Sequence, residues 1–243
     1  MVDAIFEHPR LVAVYDALDS DRIDLDAYVG IADELGARTV LDVGCGTGVF
    51  ALLLADQGLE VTGVDPAGES LRAARAKPGA DRVRWLHGDA TSLPPLQVDL
   101  ATMTGNVAQA IVSPVDWAAT LRAVLGALRP GGWLVFETRD PAFQGWQEWK
   151  RSASYRVTEI EHVGRVETWT ELTEVSGPLV SFRSHWVFAS DEQELTSDST
   201  LRFRGRAEVE RDLTAAGYVL DDVRDAPDRP ARELVFVARR PGE

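Results

Sequence analysis

The sequence predicts an α/β fold in which a parallel sheet carries an antiparallel β insert. Three observations lead there. Between residues 39 and 140 short apolar runs alternate with amphipathic helical stretches, the order that right-handed βαβ crossovers impose on a parallel sheet. The first of these runs opens into three glycines at alternate positions, Gly44, Gly46 and Gly48. After residue 140 the pattern changes to long segments that alternate apolar and polar side chains, the signature of a β-meander.

Element by element, residues 9–35 read as helical, with Leu25, Tyr28, Val29, Ala32 and Leu35 recurring on one face. Strands follow at 39–43, 60–64, 82–87, 98–103 and 133–138, with helices near 47–57, 67–77 and 114–128. The last helix is bounded by Ser113 as N-cap, Pro114 in its first turn and a Pro130-Gly131-Gly132 stop. A short helix then places Trp146 and Trp149 on one face. Extended segments near 153–160, 164–175, 179–190 and 194–204 come next, broken by turns such as Ser176-Gly177-Pro178. A helix at 207–216 and strands at 218–224 and 232–239 complete the pattern. The expected organisation is a core of residues 1–140 and 205–243 interrupted by an insert, 141–204, that serves as a cap, a substrate wall or a dimerisation surface.

Composition narrows the function. With 39 acidic against 25 basic residues the net charge is −14, and only Lys77 and Lys150 are lysines. Counterion-driven binding to a phosphate backbone needs a basic face instead, so nucleic acid is not the expected substrate. The negative field favours a cationic ligand. No apolar run approaches the roughly 18 residues of a membrane span, and the start, Met1 to Glu7, has neither a basic stretch nor an apolar one. One cysteine, Cys45, leaves no internal disulfide and no multi-cysteine metal site. The expectation is a cytoplasmic protein with no membrane contact and no metal.

The run Val40-Leu41-Asp42-Val43-Gly44-Cys45-Gly46-Thr47-Gly48 joins a strand to a helix. Glycines there permit a tight turn and close backbone approach to a ligand, while the helix start offers unpaired N–H groups. Val49 stands where a dinucleotide fingerprint needs its third glycine, and no Gly-Lys-Ser/Thr follows. Asp65 closes the second strand 21 residues after Gly44, where a carboxylate accepts both hydroxyls of a ribose. Asp89, in His87-Gly88-Asp89-Ala90, closes the third. Its carboxylate suits an exocyclic adenine amine and the Ala90 N–H a ring nitrogen. Either aspartate alone reads as well as a helix cap; two on consecutive strands after a glycine turn favour a nucleotide.

These residues, with Val64-Asp65 and the run Leu128-Arg129-Pro130-Gly131-Gly132-Trp133-Leu134-Val135, resemble the class I S-adenosylmethionine-dependent methyltransferases over about residues 35–140. The resemblance implies a Rossmann-like, doubly wound, seven-stranded sheet with its last strand antiparallel, covered by N-terminal helices. It implies S-adenosylmethionine as cofactor and a small-molecule acceptor methylated on O, N or C. It also assigns roles. Gly44, Cys45, Gly46 and Gly48 would pass beneath the methionine part of the donor, Asp65 and Pro66 would lie at the ribose, and Asp89 and Ala90 at the adenine. Asp42 would support the amino group, and Thr104, Gly105 and Asn106 would stand between donor and acceptor. Tyr15 and Tyr28 are carried by the N-terminal helices, whose tyrosines often close over the donor in such enzymes; Tyr28 reads equally well as part of the buried helix face.

Methyl transfer from a sulfonium is an in-line displacement from an activated donor, so orientation alone can lower the barrier by about 7–11 kcal/mol. A general base is needed only where the acceptor must lose a proton. The Asn/Asp-Pro-Pro-aromatic element of amino-directed nucleic-acid and protein methylation is absent, as is the Asp-Asn pair of metal-dependent catechol methylation. Candidate catalytic residues are therefore few: His185, Tyr15 and Asn106, with His162 and His87 behind them. Val180, Phe182, Ser184, Trp186 and Phe188 share one face of their strand, Arg183 and His185 the other. Trp146 and Trp149 either wall an acceptor pocket or pack the insert on the core. A homodimer through the insert is a further expectation. The rival reading is a catalytically silent binding or scaffold protein on the same fold.

Overall fold

The computed structural model describes residues 2–20 and 22–242. Three helices come first: α1 (Ala4–Glu7), α2 (Pro9–Leu18) and α3 (Asp24–Glu34). The alternating region follows as β1 (Thr39–Val43), α4 (Val49–Asp56), β2 (Glu60–Asp65), α5 (Gly68–Ala76), β3 (Val83–His87) and β4 (Val98–Met103). It continues through α6 (Val107–Ala110), α7 (Pro114–Ala127) and β5 (Leu128–Arg139). After α8 (Arg151–Ser154) come β6 (Arg156–Ile160), β7 (Gly164–Ser176), β8 (Leu179–Phe188) and β9 (Gln193–Arg202). The described chain closes with α9 (Arg206–Ala216), β10 (Val219–Asp225) and β11 (Glu233–Arg239).

A seven-stranded sheet has the order β10-β11-β5-β4-β1-β2-β3, with β11 antiparallel to both neighbours and the remaining pairs parallel. The strand order reverses between β1 and β4, the switch point where such sheets bind ligands. A separate four-stranded antiparallel sheet, β6-β7-β8-β9, forms the insert. These features match the expected fold class.

Both faces of the large sheet are covered, which is why its central strands are apolar throughout. On one side α7 lays Trp117, Leu121 and Val124 against Phe136 and Phe236, with Ser113 Oγ accepting the Asp116 N–H at 3.3 Å to start the helix. On the other, Leu25, Tyr28 and Ile31 of α3 and Phe50 and Leu54 of α4 cover Val40, Leu100 and Val135. A third cluster joins α2 to the insert: Leu11 and Val14 pack with Ile160, Val166, Trp186 and Phe188. Among the described residues no helix is long and apolar enough to cross a membrane.

Local differences from expectation have local causes. The helical stretch 9–35 is broken after Leu18, and the segment near 153–160 begins as α8, so its strand starts only at Arg156. Ser154 Oγ donates to the Lys150 carbonyl and accepts the Thr170 N–H at 2.9 Å, fastening that turn to β7. Trp146 lies in a 3-10 turn rather than an α-helix. It meets Phe203 at 4.6 Å between ring centroids, and Trp149 meets Phe182 at the same distance. The two tryptophans therefore pack the insert against its own return to the core.

Candidate active site

The carboxyl ends of β1, β2, β4 and β5 converge at the switch point. The glycine turn leaves β1 with the Gly44 N–H donating to the Val64 carbonyl at 2.8 Å. Gly46 has φ +53° and nothing within 4 Å of where a Cβ would stand, whereas a Cβ on Gly48 would collide with Trp85. The turn is thus closely packed beneath and open above Gly46. Asp65, 7% exposed, fastens it: one oxygen accepts the Gly46 N–H at 2.8 Å and the other the Ala67 N–H at 2.7 Å. Burial raises its pKa, and the two amide donors oppose that rise. Each carboxylate oxygen keeps a lone pair for a ligand hydroxyl.

Asp42 sits beneath the turn, fully buried. Its Oδ1 accepts the Thr102 hydroxyl at 3.1 Å, and its Oδ2 has no partner. Loss of solvent pushes its pKa up to about 7. Cys45 is buried, and burial raises its thiol pKa, so the thiol acts as packing beside Gly63. Pro66 is exposed, its carbonyl 3.1 Å from His87 Nε2. Asp89 caps the one-turn 3-10 helix 90–92, where its Oδ1 accepts from the Thr91 N–H and hydroxyl at 2.8 and 2.6 Å. The cap leaves Oδ2 uncommitted. Ala90 is buried beneath it.

Thr104 and Gly105 lead from β4 into Asn106, which adopts a left-handed conformation (φ 63°) as N-cap of α6. That short helix, unforeseen in the sequence, rests its Val107 over Gly44. Glu137 at the end of β5 was also missed. It is 3% exposed; its Oε1 accepts the Asn106 N–H at 2.7 Å, while Oε2 has no partner. Desolvation pushes its pKa up to about 7, opposed by the neighbouring Tyr28 phenol and by the Asn106 N–H. An acid directly after the apolar run Trp133–Phe136, still within the strand, was the available signal. Gln109, on α6 and wholly buried, accepts the Arg139 N–H at 3.3 Å.

The remaining candidates separate into two groups. Tyr28 is buried beside Glu137. Tyr15 lies on α2 against Phe6, near enough to Asp65 to feel its charge, and burial raises its pKa. His185 stands apart, on the face of β8 opposite the one that packs on the helices. It stacks on Trp169 at 4.6 Å, with Glu194 2.7 Å from Nδ1 and Glu171 3.2 Å from Nε2. His162 is exposed in the β6–β7 turn. Among the described residues no cluster has the makings of a metal site.

Two further contacts close the site. Arg204, 1% exposed, follows β9 and donates to the Ala108 and Ile111 carbonyls at 2.8 and 2.6 Å, tying the insert's return to α6. Burial lowers its pKa to about 10. Asp16 of α2 receives Thr47 and Lys77 across the glycine turn.

Residues 40–132 match the family model described as a methyltransferase domain. The cypemycin N-terminal methyltransferase of a Streptomyces species is 35% identical over 133 residues, 54% of each chain; the chain spans about half the length of such curated relatives. Among solved structures, an S-adenosylmethionine-dependent methyltransferase from Clostridium acetobutylicum superposes with TM-score 0.75 at 17% identity, covering 97% of this chain and 99% of that one. An amino pentose methyltransferase from Micromonospora echinaspora, solved with S-adenosylmethionine bound, gives 0.70 at 23%, covering 93% and 96%. Residues 40–132 are thus similar to methyltransferase domains, and the fold built around them is the one that the class I S-adenosylmethionine-dependent methyltransferases share.

Proposed function

We propose that the chain transfers the methyl group of S-adenosylmethionine to a small-molecule acceptor. The observation that carries this reading is the glycine turn itself. The space above Gly46 is open, and Asp65 stands beside it with both oxygens held by amides of the same ligand-facing edge. In this reading Gly44, Cys45, Gly46 and Gly48 lie under the methionine part and Asp65 takes the ribose. Asp89 and Ala90 take the adenine, and the free Oδ2 of Asp42 meets the amino group directly or through water. The donor supplies an activated methyl on a sulfonium. The chain's own task is to hold acceptor and methyl in line and keep water out.

The acceptor enters between α1–α3 and residues 141–204, above Gly105 and Asn106. Supporting this, α2 is packed directly on the insert, and Arg204 couples the insert to α6. Relatives named as N-terminal and O-methyltransferases, and a structural neighbour named as an amino pentose methyltransferase, support a small acceptor. Exposed Tyr155, Val157 and Val175 on the insert favour a homodimer as its second use, which light scattering would test.

Titration calorimetry with S-adenosylmethionine and S-adenosylhomocysteine tests the donor assignment. Binding is expected, and Asp65→Ala should lose about 1.5–3 kcal/mol for each charged hydrogen bond removed. No heat at millimolar ligand would overturn the reading.

A further inference from the structure

We propose that Glu137, Asn106 and Gln109 form the acceptor subsite, and that the atom they select is an amine nitrogen. The inference rests on the methyl-transfer reading and narrows it. Five buried side-chain atoms without partners cluster at the ends of β1, β4 and β5: Asp42 Oδ2, Asn106 Oδ1, Gln109 Nε2, Glu137 Oε2 and Thr138 Oγ1. Burying such atoms unpaired costs about 1–3 kcal/mol each, and more for a charge. A fold that needed only shape here would be better served by apolar side chains. Their concentration at the ligand edge marks a place where a ligand supplies the missing partners.

The three residues form one connected unit. Glu137 Oε1 is committed to the Asn106 N–H, the Gln109 N–H donates to the Asn106 carbonyl at 3.0 Å, and Gln109 Oε1 is committed to Arg139. What each has left is therefore defined: two oxygen acceptors, from Glu137 and Asn106, and one amide donor, from Gln109. All three side chains are more than nine-tenths buried. The obvious internal cation, Arg139, is engaged by Glu233 at 3.4 Å and by Gln109, so it does not neutralise Glu137 by a direct pair.

A carboxylate beside a carbonyl oxygen is complementary to a group rich in N–H and carrying positive charge. An alcohol has one hydrogen to give and would leave one oxygen unpaired; an ammonium has three, enough for both oxygens, and the Gln109 amide donor is left for another acceptor atom of the same molecule. Glu137 is also suited to the proton such a nucleophile must lose. The groups facing it are the Tyr28 phenol, the Asp42 and Glu233 carboxyls and the Arg139 guanidinium, and burial among them brings its titration near neutrality. The step balances as follows. The bound ammonium gives one proton to the Glu137 carboxylate, and the nitrogen lone pair it uncovers attacks the methyl carbon. The carbon–sulfur pair returns to sulfur, leaving a neutral thioether and a methylated ammonium. Glu137 then releases its proton to water when the product leaves.

The test uses the full chain saturated with S-adenosylhomocysteine and a panel of amines with their matching alcohols, cyclohexylamine with cyclohexanol and benzylamine with benzyl alcohol among them, read by calorimetry. At least one amine should bind more tightly than its alcohol by about tenfold, the worth of one hydrogen bond to a charged group. Glu137→Gln, which keeps an acceptor for the Asn106 N–H, should erase that preference while leaving S-adenosylhomocysteine affinity unchanged. Asn106→Gly, which keeps the left-handed turn, should weaken amine binding less. No amine preference anywhere in the panel overturns the proposal, as does a preference that survives Glu137→Gln. A fall in S-adenosylhomocysteine affinity in that variant would assign Glu137 to the donor's own amino group. Failure of the unaltered chain to bind S-adenosylhomocysteine would instead sink the methyl-transfer reading.

Discussion

The Thr47 hydroxyl of the glycine turn donates to Asp16 of α2 at 2.6 Å, across 31 positions of sequence. Lys77, at the end of α5, completes the contact: its ammonium reaches Asp16 at 2.5 Å and the Thr47 carbonyl at 2.7 Å. One carboxylate thus fastens an N-terminal helix over the ligand-facing turn. Asp16→Ala should lower stability by about 1–2 kcal/mol, one hydrogen bond plus a half-exposed ion pair. Hydrogen exchange should report faster opening of α2, with α4 and α7 unchanged. Uniform exchange across all three helices would show that α2 is held by its apolar face alone.

Gly46 and Gly48 should answer differently to the same substitution. Both have positive φ, so alanine carries a backbone strain of about 1–2 kcal/mol at either. At Gly48 the methyl also strikes Trp85, adding roughly 1–3 kcal/mol of overpacking. At Gly46 it meets no protein atom and occupies the space assigned to the donor. Gly48→Ala should therefore show the larger fall in urea midpoint, and Gly46→Ala the larger loss of S-adenosylhomocysteine affinity.

Asp42 makes the fold sensitive to pH in a defined direction. Its folded pKa, about 7, stands above the unfolded value of 3.8. Between these values the native state holds a proton that the unfolded chain has released, so stability falls as pH rises from about 4 to about 7. Above that range the contribution is constant. The slope from one such proton reaches about 1.4 kcal/mol per pH unit. Urea unfolding across this window should show a shallower decline for Asp42→Asn; an unchanged slope would mean that Asp42 ionises normally.

Arg204→Met should cost about 3 kcal/mol or more, because the Ala108 and Ile111 carbonyls lose charged donors, each worth about 1.5–3 kcal/mol. Its guanidinium also lies 4.7 Å above the Trp117 ring. Calorimetric melting would measure the loss, and a Tm within a degree of the parent would contradict it.

The residues proposed to hold the donor stood out in the chain because they are contiguous with strand ends. Asp42, Gly46 and Asp65 each follow from the strand–turn–helix grammar that places them. Asp89 was legible both as a ligand contact and as a cap, and the structure displays the cap. On the proposed acceptor side only Asn106 stood out, and the rest was opaque for a physical reason. Glu137, Gln109 and Arg204 come from three separate segments and meet only after the sheet assembles, so no local periodicity announces them. His185 drew notice as a histidine in a strand, yet strand parity fixes only its face. Whether that face looks toward the helices or away from them depends on how the second sheet docks. The docking is set by Leu11, Val14, Trp186 and Phe188, a contact between distant parts of the chain.

The place of β11 has a consequence for how the protein must be made. β5 hydrogen-bonds to β4 on one side and to β11 on the other, and the entire second sheet and α9 are synthesised between those two partners. A nascent chain that has emerged as far as β9 therefore carries β5, with Leu134, Val135 and Phe136, as an uncovered sheet edge. That edge is a ready template for pairing with another unfinished chain, at the stage when a protein of this size is most prone to aggregate. Yield of active protein should accordingly depend on translation speed and chaperone supply more than the finished fold's stability would suggest.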